Sequence, residues 1–186
     1  AMKASEIYNL LERTVIRPGM TDNWAPYMAS ISDFICDNFK KRSMGLVCDF
    51  TEEITSVYTA VFPSDRVMRA VLEENAGDAL LFLHHPSIWD ITKAPEVFYQ
   101  MDRGLLREFR KNRISIFNLH VPLDNYSDYS TSVSLSHALG IEIIEPFAEY
   151  CGALAGIIGK TDCTTLTELR RRFSSSVGHT VSLYPY

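Results

Sequence analysis

The stretch Ala79-Leu80-Leu81-Phe82-Leu83-His84-His85-Pro86 carries an apolar run directly into two adjacent histidines and a proline. The run reads as a β-strand, and buried hydrocarbon that turns into imidazole at a strand end is a common way to build a metal site. The segments on either side decide what kind of sheet the strand joins.

Upstream, Pro63-Ser64-Asp65 opens a helix through Val67, Met68, Val71 and Leu72 that ends near Asn75 to Gly77. Downstream, Pro95 starts a helix through roughly Asn112, followed by a strand from Arg113 to Leu119 with His120 at its end. A helix from Thr131 to Leu139 stops at Gly140 and leads to a strand from Ile141 to Ile144. Strands alternating with helices of this length imply βαβ units, so the fold class is α/β with mostly parallel or mixed sheets flanked by helices. Toward the N-terminus, a helix runs from Ser5 to Arg13 with Ser5 as cap. After Asp22 and Asn23 a second helical pattern places Met28, Ile31, Phe34, Ile35 and Phe39 on one core-facing side. Gly45 to Cys48 and Ile54 to Phe62 are β-rich.

Pro146 reads as a break between two lobes, residues 1–147 and 148–186. In the second lobe Ala153 to Ile158 reads as a strand, Thr165 to Phe173 as a helix and His179 to Tyr184 as a strand. That β-α-β fragment looks incomplete, as if the natural chain continued. Ala1 before Met2 reads as a cloning remnant.

With 46% hydrophobic residues among 186, the chain has the composition of a soluble globular protein with a substantial core. Its net charge of -5 argues against a nucleic-acid partner held by bulk electrostatics. No apolar stretch is long enough to span a bilayer. Cys36, Cys48, Cys151 and Cys163 form no CxxC pair or zinc spacing and read as reduced thiols, which places the protein in the cytoplasm.

Ligands of parallel α/β sheets gather beyond the carboxyl ends of the strands, where both His84-His85 and His120 fall. Adjacent residues of an extended chain point to opposite sides, so His84 and His85 suit two neighbouring ions better than one. Asp124 adds a hard oxygen donor four residues after His120. Imidazoles with carboxylates suit zinc, manganese, iron or nickel alike. Trp89 and Asp90 either line the same cleft or simply pack. His137, within a helical pattern, and His179, at the start of a late strand, are read as ordinary surface or core histidines with satisfied hydrogen bonds. Neither GxSxG, GxxxxGK[ST] nor GxGxxG occurs, so serine-hydrolase and P-loop chemistry receive no support. The basic runs Arg103 to Arg113 and Arg170 to Arg172 read as solvated helix surface.

The segments Leu81-Phe82-Leu83-His84-His85-Pro86, Asn118-Leu119-His120-Val121-Pro122-Leu123-Asp124-Asn125 and Ser134-Leu135-Ser136-His137-Ala138-Leu139-Gly140-Ile141 together resemble the NIF-three-like dinuclear metal proteins, often labelled GTP cyclohydrolase type two. The resemblance implies two α/β lobes, a ring-shaped homo-oligomer, a hexamer, and two divalent metal ions in a cleft. It implies that His84 and His85 are ligands, one for each ion, that Asp124 is the carboxylate ligand, and that His120 stands behind them without binding metal. Family members complete the site with a histidine and a glutamate four residues later. This sequence has no HxxxE after Asp124.

Two functions follow as expectations. One is a two-metal-dependent hydrolase resembling GTP cyclohydrolase type two, its small-molecule substrate and catalytic residues unassigned. The other is a non-catalytic ring-forming assembly or metal-carrying interaction protein.

Overall fold

Three apolar runs of four or five residues, Gly45 to Cys48, Ala79 to Leu83 and Ile114 to Asn118, are too short for helices and too apolar for loops, and they form three neighbouring strands of a mixed sheet. The computed structural model describes residues 1–74, 77–94 and 96–184, with the backbone alone at Ile91. It comprises two compact units, Ala1–Pro122 and Leu123–Tyr186.

In the first unit, strand β1 (Met2–Lys3) leads into helix α1 (Ala4–Val15). A 3-10 segment (Ala25–Phe34) and helix α2 (Asp37–Arg42) follow. Next come strands β2 (Gly45–Cys48), β3 (Glu53–Ile54) and β4 (Ser56–Ala60), then helix α3 (Asp65–Glu73). Strand β5 (Ala79–Leu83) is followed by the short strands β6 (Ile88–Trp89) and β7 (Phe98–Tyr99). Helix α4 (Arg103–Lys111) and strand β8 (Ile114–Asn118) complete the unit, and the one-turn helix α5 (Val121–Asp124) carries the chain onward.

The main sheet has the order β2-β8-β5-β4. Strands β4, β5 and β8 are parallel, with Tyr58, Leu81 and Ile116 in one row, and β2 joins the β8 edge antiparallel. Met68 and Val71 of α3 and Leu105, Leu106 and Phe109 of α4 share one buried core with Leu81, Leu83, Ile114 and Ile116. On the opposite pleat Phe117 stacks on Tyr8 of α1, ring centroids 5.9 Å apart. Helices therefore cover both faces, as the parallel order requires. Asp78 and Arg113, each with a positive φ just before a parallel strand, share a two-pronged ion pair. This fixes the entry of β5 beside that of β8.

The second unit contains helix α6 (Thr131–Ala138), strands β9 (Glu142–Tyr150) and β10 (Ala153–Lys160), and helix α7 (Leu166–Val177). The two strands form an antiparallel hairpin. Ser132 Oγ donates to Ala155 O, which ties α6 to the hairpin.

The structure departs from the sequence reading at several elements. Lys3, not Ser5, precedes the first turn of α1, whose Ala4 N–H donates to Glu52 O. The helix expected after Asp22 is the 3-10 segment, broken by non-helical angles at Met28 and Ile31, followed by α2. Its apolar residues are nonetheless buried as the spacing predicts. The single strand expected over 54–62 is split into β3, which pairs with β1, and β4, which pairs with β5.

Two expected helix limits, Asn75 and Pro95, lie outside the described residues. Residues 88–99 contribute the β6–β7 pair, and α4 begins instead after Asp102, whose side chain accepts from Leu105 N–H. Pro146 sits inside β9 opposite Ile157, so the lobe limit expected near 147 falls within the hairpin. A two-stranded ribbon has only edges, and there a proline costs no ladder bond that a neighbour needs. Residues 179–184 form no strand. Val181 instead bonds back to α7, its N–H to Ser174 Oγ and its carbonyl to Arg170 Nε.

Candidate metal centre

Strands β5 and β8 run parallel with Leu83 level with Asn118, so the chain leaves both at the same end of the sheet. His84 and His85 follow one strand and His120 the other. The chain bends immediately after Leu83. Backbone N–H groups of His84 and His85 donate to Ala60 O and Val61 O at 3.2 and 2.9 Å, and Asn118 Nδ2 donates to His84 O at 2.6 Å. The bend replaces the divergence expected of an extended chain with convergence. Ring centroids are 4.5 Å apart for His84 and His85, 4.7 Å for His85 and His120, and 5.1 Å for His84 and His120. One nitrogen from each ring lies within 4.8 Å of the other two.

The hydrogen bonds select which nitrogens are available. His84 Nδ1 donates to Leu119 O at 3.1 Å, which leaves the lone pair on Nε2. His120 Nδ1 donates to Asp22 Oδ2 at 3.0 Å with the same consequence. Asp22 Oδ2 also accepts from Val121 N–H, and Asp22 Oδ1 from Asn23 N–H. The His120 and Asp22 side chains are only 12% and 6% exposed, so little water competes for their bond. A histidine whose far nitrogen donates to a carboxylate is fixed in orientation and tautomer, the usual support for a metal-binding imidazole.

Aromatic rings pack around the cluster. Phe62 stacks on His85 at 4.8 Å, and Trp24 meets His85 and His120 edge-on at 5.4 and 5.1 Å. These rings hold the imidazoles in place and lower the local dielectric, which strengthens any charge interaction at the site. Three convergent imidazoles with two tautomers already fixed fit a borderline divalent transition metal better than magnesium or calcium, which prefer oxygen.

Of the residues singled out from the sequence, His84, His85 and His120 are brought together. Asp124 ends α5 in the second unit, where its Oδ1 accepts from Thr131 Oγ1 at 2.9 Å. His137 is exposed on α6, and exposed His179 points Nδ1 at Thr180 O. Trp89 stacks on Phe98, and Asp90 accepts from the backbone and hydroxyl of Thr92. The sequence reading missed Asp22, Trp24 and Phe62. Asp22 carried only the signal of a helix start, and nothing in its spacing points to a histidine in another part of the chain.

Comparison with known proteins fits this architecture. The Duf34/NIF3 (NGG1p interacting factor 3) family model matches residues 31–184. A Pyrococcus horikoshii protein named GTP cyclohydrolase 1 type 2 homolog is 32% identical over 127 residues, 66% of this chain and 47% of its own. An Archaeoglobus fulgidus protein of the same name is 28% identical over 146 residues, 77% of this chain and 57% of its own. The chain thus spans about half the length of the curated relatives it matches.

Among solved structures, protein ybgI, described as of unknown function, superposes with a TM-score of 0.65 at 21% identity, covering 95% of this chain and 61% of that one. TTHA1606 from Thermus thermophilus gives 0.61 at 18%, covering 96% and 63%. At those identities the structures share the fold. The family match covers most of the chain, and from it the assignment follows: this chain belongs to the Duf34/NIF3 family.

Proposed function

We propose that the chain binds divalent metal through His84, His85 and Asp124 and acts as a two-metal-dependent hydrolase, in line with the GTP cyclohydrolase name its relatives carry. The observation that carries the reading is the convergence of three imidazoles with two Nδ1 atoms already engaged. His84 and His120 would present Nε2. His120 serves either as the imidazole behind the ligands or, as the convergence favours, as a donor in its own right. When bound, the ions would supply Lewis-acid activation of water and of a carbonyl or phosphoryl group. The chain's own part is to orient the imidazoles through Leu119 O and Asp22, and to exclude water with Trp24 and Phe62.

Zinc, manganese, iron and nickel all suit this donor set. A cytoplasmic homo-oligomer, in the form of a hexameric ring acting on a small molecule, is the setting we propose. The four free thiols agree with a reducing compartment. No helix among the described residues is long and apolar enough to cross a membrane. The second reading is a non-catalytic ring-forming assembly or metal-carrying protein.

Metal analysis of the purified chain and of His85→Ala tests the site, with metal content expected to fall in the variant. Unchanged content would overturn the metal reading. Turnover of GTP by the metal-loaded protein, abolished by a chelator, would favour the hydrolase over the carrier. Metal uptake without turnover would favour the carrier.

A further inference from the structure

Trp24 is 6% exposed, and its Nε1 is buried with no acceptor among the described residues. Such an orphan donor is costly, because the group has given up water and gained nothing in return. Its ring packs edge-on against His85, His120 and Phe98, so the indole borders the imidazole cluster. An indole N–H can only donate, so whatever satisfies it must bring an acceptor.

From this we infer that Trp24 is a binding residue for an oxyanion, a phosphate or carboxylate oxygen of the substrate, seated against the His84–His85–His120 cluster. The inference rests on the metal reading, because a metal at the imidazoles is the positive charge that draws an anionic oxygen to this spot. It also accounts for a tryptophan here. A phenylalanine would fill nearly the same space and leave no donor unpaired.

The sequence contains two tryptophans, Trp24 and Trp89, which makes the experiment direct. Zinc-loaded, nitrogen-15-labelled protein is titrated with inorganic phosphate, and both indole N–H resonances are followed, with Trp24→Phe providing the assignment. The Trp24 resonance is expected to move on phosphate addition while that of Trp89 stays in place. Trp24→Phe should retain its zinc but bind phosphate roughly tenfold or more weakly, the loss of one hydrogen bond to a charged acceptor.

Zinc uptake with a stationary Trp24 signal, with no phosphate binding, or with equal phosphate affinity in Trp24→Phe would overturn this inference alone. Failure of the wild-type protein to take up zinc would overturn the metal reading and this inference together. If Trp24→Phe does not fold, Trp89→Phe supplies the assignment and the shift of the Trp24 indole decides the matter.

Discussion

Asp22 and His120, 98 positions apart in the chain, meet through a 3.0 Å hydrogen bond in which both side chains are almost wholly withdrawn from water. Because Asp22 Oδ2 also accepts the Val121 N–H, the carboxylate holds both the ring and the backbone that follows it. Replacing Asp22 with Asn keeps the shape but removes the charge that favours the Nδ1–H tautomer. We expect Asp22→Asn to weaken zinc binding about 10- to 100-fold, read by competition with a chelator of known affinity. In the cobalt-loaded protein the visible absorption bands should shift as well, a change that loss of stability alone would not cause.

How far the sequence revealed this arrangement differs from element to element. Ala79 to Leu83 and the strand ending at Asn118 were legible because their side chains decide their fate locally. The histidines after them inherit their place from the parallel register. Asp22 was not legible, since a carboxylate in a loop reads the same whether it faces water or a distant imidazole. The hairpin of β9 and β10 was misread for another reason. Pro146 argues against a strand everywhere except on an edge, and whether a strand lies on an edge is a property of the fold.

Leu81 sits at the centre of β5, level with Tyr58 on one neighbour and Ile116 on the other, and is fully buried. Leu81→Ala should destabilise the protein by about 2–5 kcal/mol, through lost transfer energy and the cavity left behind. Leu154 on β10 is 40% exposed, and Leu154→Ala should stay within about 0.5 kcal/mol of wild type. Urea unfolding of the two variants side by side measures the contrast.

Asp33 accepts both guanidinium nitrogens of Arg103 at 2.6 and 2.7 Å, and that pair pulls its carboxyl down to about 2. Because the folded value lies below the unfolded one, the contribution is complete above the ordinary carboxylate range near pH ~4 and is lost as pH falls toward about 2. The melting temperature of Asp33→Asn should therefore lie slightly below wild type at neutral pH. The gap should close on acidification and shrink in high salt, as expected of a solvent-exposed pair. A gap that persists unchanged at pH ~2 would contradict the assignment.

Asn118 makes the sharpest test of how the fold shapes the site. Its Nδ2 donates to both Leu83 O and His84 O from a fully buried position, and so pins the bend that turns the histidines together. Leu83 O also accepts from Leu119 N–H, so the bond to His84 O is the one on which the bend depends more heavily. Asn118→Ala should therefore cost about 1–3 kcal/mol at every pH, the penalty of withdrawing a buried donor from its acceptors. Asn118→Asp sets a carboxyl against two carbonyl oxygens, and burial raises its pKa above the unfolded value. Its folded form binds the proton more tightly, so stability falls as pH rises from the unfolded value near ~4 through the raised one. Melting curves of the metal-free proteins should show Asn118→Asp losing ground to Asn118→Ala from acid to neutral pH. Parallel curves would mean that the amide does not hold the bend.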